Sequence, residues 1–262
     1  MAAVASVRDL HVSAQTSSGA VAMLNGVSFD IDAGEIVGLI GESGSGKSTI
    51  VRSIIGLLEK NARIDSGTIS VVGRHISAES DYRVIRGRHV GTVFQDTGGS
   101  LNPLMRIGRQ LREVVNHHAE GLAKRARAER IRGSLARVGF SEEQVERVLR
   151  AYPHQLSGGM RQRVAVALAV VTEPELVIAD ECTSALDVTT QADVVRLLRT
   201  LVNSSDRGML FVTHDLALAS SLCSRLVVLN RGRVVEVGAT EDVISRPAEA
   251  YTQALLAAGR SL

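Results

Sequence analysis

The stretch Gly41-Glu42-Ser43-Gly44-Ser45-Gly46-Lys47-Ser48-Thr49 carries the residue types that grip a phosphate chain. Its spacing is G-x-x-x-x-G-K-S/T, the Walker A pattern. The glycines let the backbone curl until successive N–H groups point inward at phosphate oxygens. Lys47 then sets a point charge on the β- and γ-phosphates, and Ser48 offers its hydroxyl to Mg2+. A glycine-rich turn that matched by chance would lack the flanking pattern seen here. Residues 35–40 read as a short buried strand, and Ile50, Val51, Ile54, Ile55 and Leu58 repeat with helical spacing. Strand, loop, helix is the order a phosphate site needs, because the positive end of the helix near Lys47 adds to the anion's field.

A second group of residues suits the same chemistry. Leu176-Val177-Ile178-Ala179-Asp180-Glu181 reads as a buried strand ending in two carboxylates. Alone, such a pair is as often a solvated turn. With a phosphate loop upstream it becomes the Walker B arrangement, in which Asp180 holds Mg2+ and Glu181 orients and polarises the attacking water. Gln95 follows the strand at 90–94 and could reach both Mg2+ and that water, although a plain loop glutamine is the bland alternative. His214 ends the strand at 209–213. A lone histidine is more often a packing or surface residue, but ligands gather at such strand ends in open α/β sheets, where His214 could donate to a γ-phosphate. The remaining histidines, including His117 and His118, show no partner pattern and read as surface residues.

These residues need a scaffold that brings strand ends together, and the chain predicts one. Residues 4–12 and 27–31 look like strands of an antiparallel layer; 68–72 and 90–94 read as further strands. Between about 101 and 151 the texture turns to long charged helical patterns, notably 121–138 and 141–150. Strand and helix then alternate again: strand 176–179, helix 191–201, strand 209–212, helix 216–223, strands 226–229 and 233–237. Such alternation implies α/β architecture with a mostly parallel sheet covered by helices. The division expected is one domain over 1–262, with a core of about 1–98 and 172–262 and an inserted helical subdomain of about 99–171. No internal repeat or low-complexity tract interrupts it.

Bulk composition limits the alternatives. The 262 residues are 45% apolar and 22% charged, ordinary for a globular chain, and 30 basic against 28 acidic residues leave a net charge of +2. That balance argues against a polyanion-binding surface. The cluster Lys124, Arg125, Arg127, Arg130 and Arg132 reads as a solvated helix face rather than a nucleic-acid site. Two cysteines, Cys182 and Cys223, cannot build a disulfide framework and fit a reducing compartment. No signal peptide is expected at residues 1–10, and the longest apolar run, 164–171, is too short to cross a bilayer.

Leu156-Ser157-Gly158-Gly159-Met160 resembles the signature sequence of ATP-binding cassette (ABC) proteins, with Met in place of the usual Gln. It stands between the phosphate loop and the acidic strand, with Gln95, a D-loop-like Ser184-Ala185-Leu186-Asp187 and His214 in the family's order. The resemblance spans almost the whole chain. It implies a P-loop NTPase core with an N-terminal antiparallel β layer and an inserted helical signature subdomain. It implies ATP and Mg2+ as ligands, and two cassettes paired head to tail. Ser157, Gly158 and Gly159 of one cassette would then cap the γ-phosphate held by the other, and Asp187 of the D-loop-like stretch would also bind the nucleotide. Within the family, Phe94-Gln95-Asp96, Ser100-Leu101-Asn102-Pro103, the stretch from Tyr152 to Arg163 and Pro247 to Leu256 are similar to ATPases of peptide and nickel importers. The resemblance therefore implies a second ATPase subunit, forming a heterodimer. It also implies two transmembrane permease subunits, an extracellular or periplasmic substrate-binding protein acting indirectly, and a place on the cytoplasmic face of the membrane. The segment after Gln95 is expected to form the groove for the permease.

Two departures stand out. The family stacks adenine on an aromatic residue; counting back from the loop places that position near Ser18, and no aromatic lies between Leu10 and Asn25. Weak adenine selectivity, or stacking by another side chain, is expected. Cys182 stands where proline is usual, which would put a modifiable thiol beside the site. The competing class, a non-transport ABC ATPase of DNA repair or chromosome organisation, needs a coiled coil or zinc module between the loop and the signature, and 101–151 is too short for one.

Overall fold

A computed structural model describes residues 3–95, 97–118, 121–184, 187–203 and 206–259. Asp96, Ala185 and Leu186, which belong to motifs singled out above, lie outside the described residues. Along the chain come Ala3–Thr16 (β1), Gly19–Asp32 (β2), Ile36–Ile40 (β3), Lys47–Ile55 (α1), Ala62–Val71 (β4), Arg74–Ile76 (β5), Glu79–Ile85 (α2) and Val90–Val93 (β6). Helices Thr97–Ser100 (α3), Ile107–His118 (α4), Lys124–Arg137 (α5), Glu142–Arg150 (α6) and Gly158–Val170 (α7) follow. The chain then runs through Leu176–Asp180 (β7), Val188–Asn203 (α8), Gly208–Val212 (β8), Leu216–Leu222 (α9), Arg225–Asn230 (β9), Arg233–Ala239 (β10), Thr240–Ser245 (α10) and Ala250–Gly259 (α11).

Two sheets result. One is antiparallel, in the order β2-β1-β4-β5; the other runs β10-β9-β3-β8-β7-β6 and is parallel except where β10 turns back on β9. Every residue of β3 and β8 is buried, as their near-continuous apolar sequences require of strands covered on both faces. Parallel pairing aligns the strand ends that carry chemistry: Leu39 and Asp180 both sit opposite Val212.

Two apolar layers fix this arrangement. Leu10, Val27, Ile50, Ile54, Leu210 and Leu229 fill the space between the antiparallel sheet, α1 and one face of the central sheet. Ile107, Leu135, Val164, Val166, Phe211 and Val228 fill the layer on the other face, reaching into α4–α7. Each such side chain contributes about 1.5–3 kcal/mol on burial. The fully buried Ile50, Val51 and Ile54 thus anchor α1, and with it the phosphate loop, more firmly than any capping bond.

The strands run longer than their apolar patterns. β1 continues to Thr16 and β4 begins at Ala62, because the far ends of these strands pair with one another through backbone while exposing polar side chains. The helix after the signature starts at Gly158, with Ser157 as its cap. The basic helix α5 is largely matched by carboxylates: Arg125 pairs with Glu129 at 2.8 Å, Arg130 with Glu173 at 2.9 Å, and Arg132 with Glu146. No helix among the described residues is long and apolar enough to cross a membrane.

Candidate functional site

The phosphate loop joins β3 to α1 with its backbone fixed by close packing. Gly41, at φ 153°, has no room for a side chain: a Cβ there would lie 2.2 Å from the Leu229 carbonyl oxygen. Gly46, at φ 111°, precedes α1 without any side-chain cap, and no acidic residue stands in the first turn. The first N–H groups of α1 therefore face the cavity without an internal acceptor, and their dipole favours an anion. Lys47 is 5% exposed, and its Nζ donates to the carbonyl oxygens of Gly41 at 2.8 Å and Glu42 at 2.9 Å. Burial pulls its pKa below the ordinary lysine value, against the opposing pull of Glu181 and Asp180. An ammonium held by two neutral carbonyls can turn to phosphate oxygens at little cost.

Ser43, Gly44, Gly46, Lys47, Ser48 and Thr49 line a cavity of about 470 Å3. Ser45 lies beneath it, buried, with a hydroxyl that has no partner; Glu42 is exposed, and its N–H donates to the Tyr251 hydroxyl at 3.3 Å. Glu181 reaches the cavity from the end of β7. Its backbone, at φ +45°, is left-handed, an uncommon state for a residue other than glycine and one that clusters at functional sites. The Glu181 N–H donates to Val212 at 3.0 Å, which locks that turn against β8.

Asp180 ends β7 with one carboxylate oxygen buried and without any hydrogen-bond partner. Burial, reinforced by Glu181, raises its pKa above the ordinary aspartate value. A buried carboxylate oxygen in that condition is what a divalent cation relieves, so the residues present fit a cation held between Asp180 and the Ser48 hydroxyl at the start of α1.

Gln95 and His214 approach Glu181 from the ends of other strands, Gln95 through Ser184 to its main chain and His214 beside its carboxylate. Gln95 Nε2 donates to the Ser184 hydroxyl at 3.2 Å, and that hydroxyl donates to the Glu181 carbonyl at 3.0 Å. His214 Nδ1 stands 3.7 Å from Glu181 Oε1 and is 60% exposed. Glu181, Ser184, Thr213 and His214 share a second, smaller recess. Glu181 thus lines both the phosphate cavity and the recess.

Ser157, Gly158 and Gly159 are not brought to this cavity. Ser157 caps α7, accepting from Met160 N at 3.3 Å, and the glycines expose the helix start. Asp187 caps α8 by accepting from Thr190 N at 3.0 Å and from Thr190 Oγ1 at 2.7 Å. The D-loop residues Ala185 and Leu186 lie outside the described residues.

Residues without a local motif also line the site. Val21, Ala22 and Met23 of β2 and Arg231 and Gly232 of the β9–β10 turn border the phosphate cavity. Ser18, near the counted position, sits in the hairpin turn bonded to Thr16 and is not among the residues that line this cavity. The pairing of β2 with β1 moves the wall of the cavity to residues 21–23. The expectation for Cys182 is corrected. Its side chain is buried, and burial pushes the thiol up to about 12, so it is not a modifiable group. Its carbonyl has a structural use, accepting from the buried Gln162 Nε2 of α7 at 2.6 Å.

Fold and site together define a P-loop ATPase with an inserted helical region. The ABC transporter family profile matches residues 24–184, and the chain belongs to that family. Among its relatives, the dipeptide transport ATP-binding protein DppD of Lactococcus lactis is 38% identical over 97% of this chain and 72% of its own length. The probable D,D-dipeptide transport ATP-binding protein DdpD of Escherichia coli is 44% identical over 97% of this chain and 77% of its own. Among solved structures, a dimer of the bacterial ABC transporter cassette MJ0796 superposes with a TM-score of 0.77 at 26% identity, covering 90% of this chain and 98% of that one. The cassette cbiO1 of Clostridium perfringens, part of an ABC transporter complex, gives 0.80 at 26% identity, covering 94% and 92%.

Proposed function

We propose that this chain is the ATP-hydrolysing subunit of a peptide importer, seated on the cytoplasmic face of the membrane against a two-subunit permease. The observation that carries the reading is the meeting of the uncapped start of α1, Lys47 and Glu181 at one cavity, with Asp180 near enough for its charge to act on Lys47. The likeness to dipeptide ATPases over 97% of the chain directs it to peptides.

In this reading the backbone N–H groups of residues 43–49 cradle the phosphates, and Lys47 leaves the Gly41 and Glu42 carbonyls for the β- and γ-phosphates. Ser48 and Asp180, with Gln95, would hold Mg2+, which when bound neutralises charge on the phosphate oxygens. Glu181 accepts the proton of the attacking water as its oxygen bonds to the γ-phosphorus and the bond to the β-phosphate oxygen breaks. His214 donates a hydrogen bond to the transferring phosphoryl group. Ser157, Gly158, Gly159 and Asp187, remote from the chain's own cavity, serve the nucleotide of a second, non-identical cassette. The 99–171 helical region moves as a unit when the pair closes and opens. A groove of about 500 Å3 lined by Leu57, Val90, Phe94, Met105 and Val114 would receive the permease and carry that motion to it.

Uptake of a labelled dipeptide and of nickel, in cells relying on this chain or its Lys47→Ala variant, tests the reading. Loss of dipeptide uptake with nickel entry intact supports it. Loss of nickel entry alone would redirect the assignment to metal import.

A further inference from the structure

We infer that Arg231 supplies the surface on which the nucleobase stacks, in place of an aromatic side chain; this rests on the cavity being the ATP site. The cavity beside the phosphate loop continues past Lys47 and Thr49 to Val21, Ala22, Met23, Arg231 and Gly232. A nucleotide whose phosphates lie in the loop can extend only along that wall. None of the lining residues is aromatic, and the β2 part of the wall is aliphatic. Among the described residues that line the cavity, Arg231 alone offers a flat group broad enough to cover a base.

The placement of Arg231 is costly in backbone terms and firmly held. Asn230 pairs with Arg233 across a two-residue turn in which Arg231 has φ 45° and Gly232 φ 75°. Two successive positive φ values define a type I′ turn, where Asn, Asp or Gly is favoured at the first position. An arginine there carries roughly 1 kcal/mol of strain. The turn is pinned on both sides: Gly232 N donates to the Ser45 carbonyl at 2.8 Å, and the Gly232 carbonyl accepts from Asn25 N at 2.8 Å. A Cβ at Gly232 would lie 2.3 Å from the Met23 carbonyl oxygen. The turn is therefore clamped between the phosphate loop and β2, and Arg231 is carried to the edge of the cavity. Arg231 is exposed and makes no hydrogen bond or ion pair among the described residues. A strained position, a free guanidinium and a wall lacking any other flat group of that breadth coincide at one point.

The guanidinium is flat, delocalised and weakly hydrated, so it stacks on aromatic rings in a way an ammonium does not. Stacking accepts any base, because every base has a π-face. Purine binding without strong preference between adenine and guanine follows.

Affinities for ATP, GTP and inorganic tripolyphosphate, measured with the purified chain and its Arg231→Gly, Arg231→Lys and Lys47→Ala variants, test the assignment. The expected result is an ATP affinity about five- to fifty-fold weaker in Arg231→Gly. Tripolyphosphate affinity stays unchanged and the melting temperature is equal or higher, since glycine relieves the turn. Arg231→Lys falls nearly as far although it keeps the charge, and the wild type binds ATP and GTP within about threefold of each other. Wild-type ATP affinity in either Arg231 variant, or an equal loss of tripolyphosphate, would overturn the stacking role. Retention of both ligands by Lys47→Ala would instead remove the ATP site itself.

Discussion

At the scale of single residues, Asp180 is the most informative. One oxygen of its carboxylate is buried and unpartnered, and burial and Glu181 hold the group above the ordinary aspartate range. Between the ordinary value and the raised one, the folded chain binds more protons than the unfolded chain. Without cation, stability is therefore lost as pH rises through that window. Asp180→Asn removes the charge, so in chelator its melting temperature should rise, by about 2–4 °C for each kcal/mol relieved. The same variant should gain nothing from Mg2+ with ATP. A lower melting temperature with intact Mg2+-ATP stabilisation would contradict the assigned role. Asp180 and Glu181 were legible in sequence because a buried strand ending in acids after a phosphate loop is a local, directional pattern. Arg231 was not, since nothing in Asn230-Arg231-Gly232 reveals that folding clamps it between Ser45 and Asn25.

At the scale of elements, the tie between α7 and the turn after β7 connects the signature to Glu181, the carboxylate proposed as catalytic. Gln162, 1% exposed, donates to the Cys182 carbonyl at 2.6 Å, one residue past Glu181. Its replacement by alanine leaves a buried carbonyl without a partner, which costs about 1–3 kcal/mol. Gln162→Ala should lower the melting temperature and reduce kcat more than it changes the KM for ATP, because the loop that aims Glu181 loosens while the phosphate loop stays packed. Unchanged steady-state kinetics would show that the two elements act independently. Helical patterning located α5 and α6, and continuous apolar runs located the buried strands. Such patterning shortened β1, β2 and β4, whose outer ends are held by backbone pairing rather than by apolar burial. It also passed over the link from Gln162 to Cys182, which exists only after β7 and α7 meet.

At the scale of the whole molecule, one chain builds only part of what its motifs call for. The phosphate cavity gathers residues from β2, the loop before α1, the end of β7 and the β9–β10 turn, yet Ser157, Gly158 and Gly159 stand elsewhere, capping an exposed helix start. The likeness to a dimeric cassette gives that separation a use. In the proposed reading, ATP closes two cassettes on each other and hydrolysis releases them. The central claim is tested most directly by Glu181→Gln, assayed for ATP hydrolysis and for ATP-dependent dimer formation by size-exclusion chromatography, alone and mixed with the proposed second ATPase subunit. The account predicts that kcat falls about 10²- to 10⁴-fold, as for loss of a general base, while an ATP-bound dimer accumulates. Turnover equal to the wild type, with no dimer in either mixture, would contradict both the role of Glu181 and the shared site.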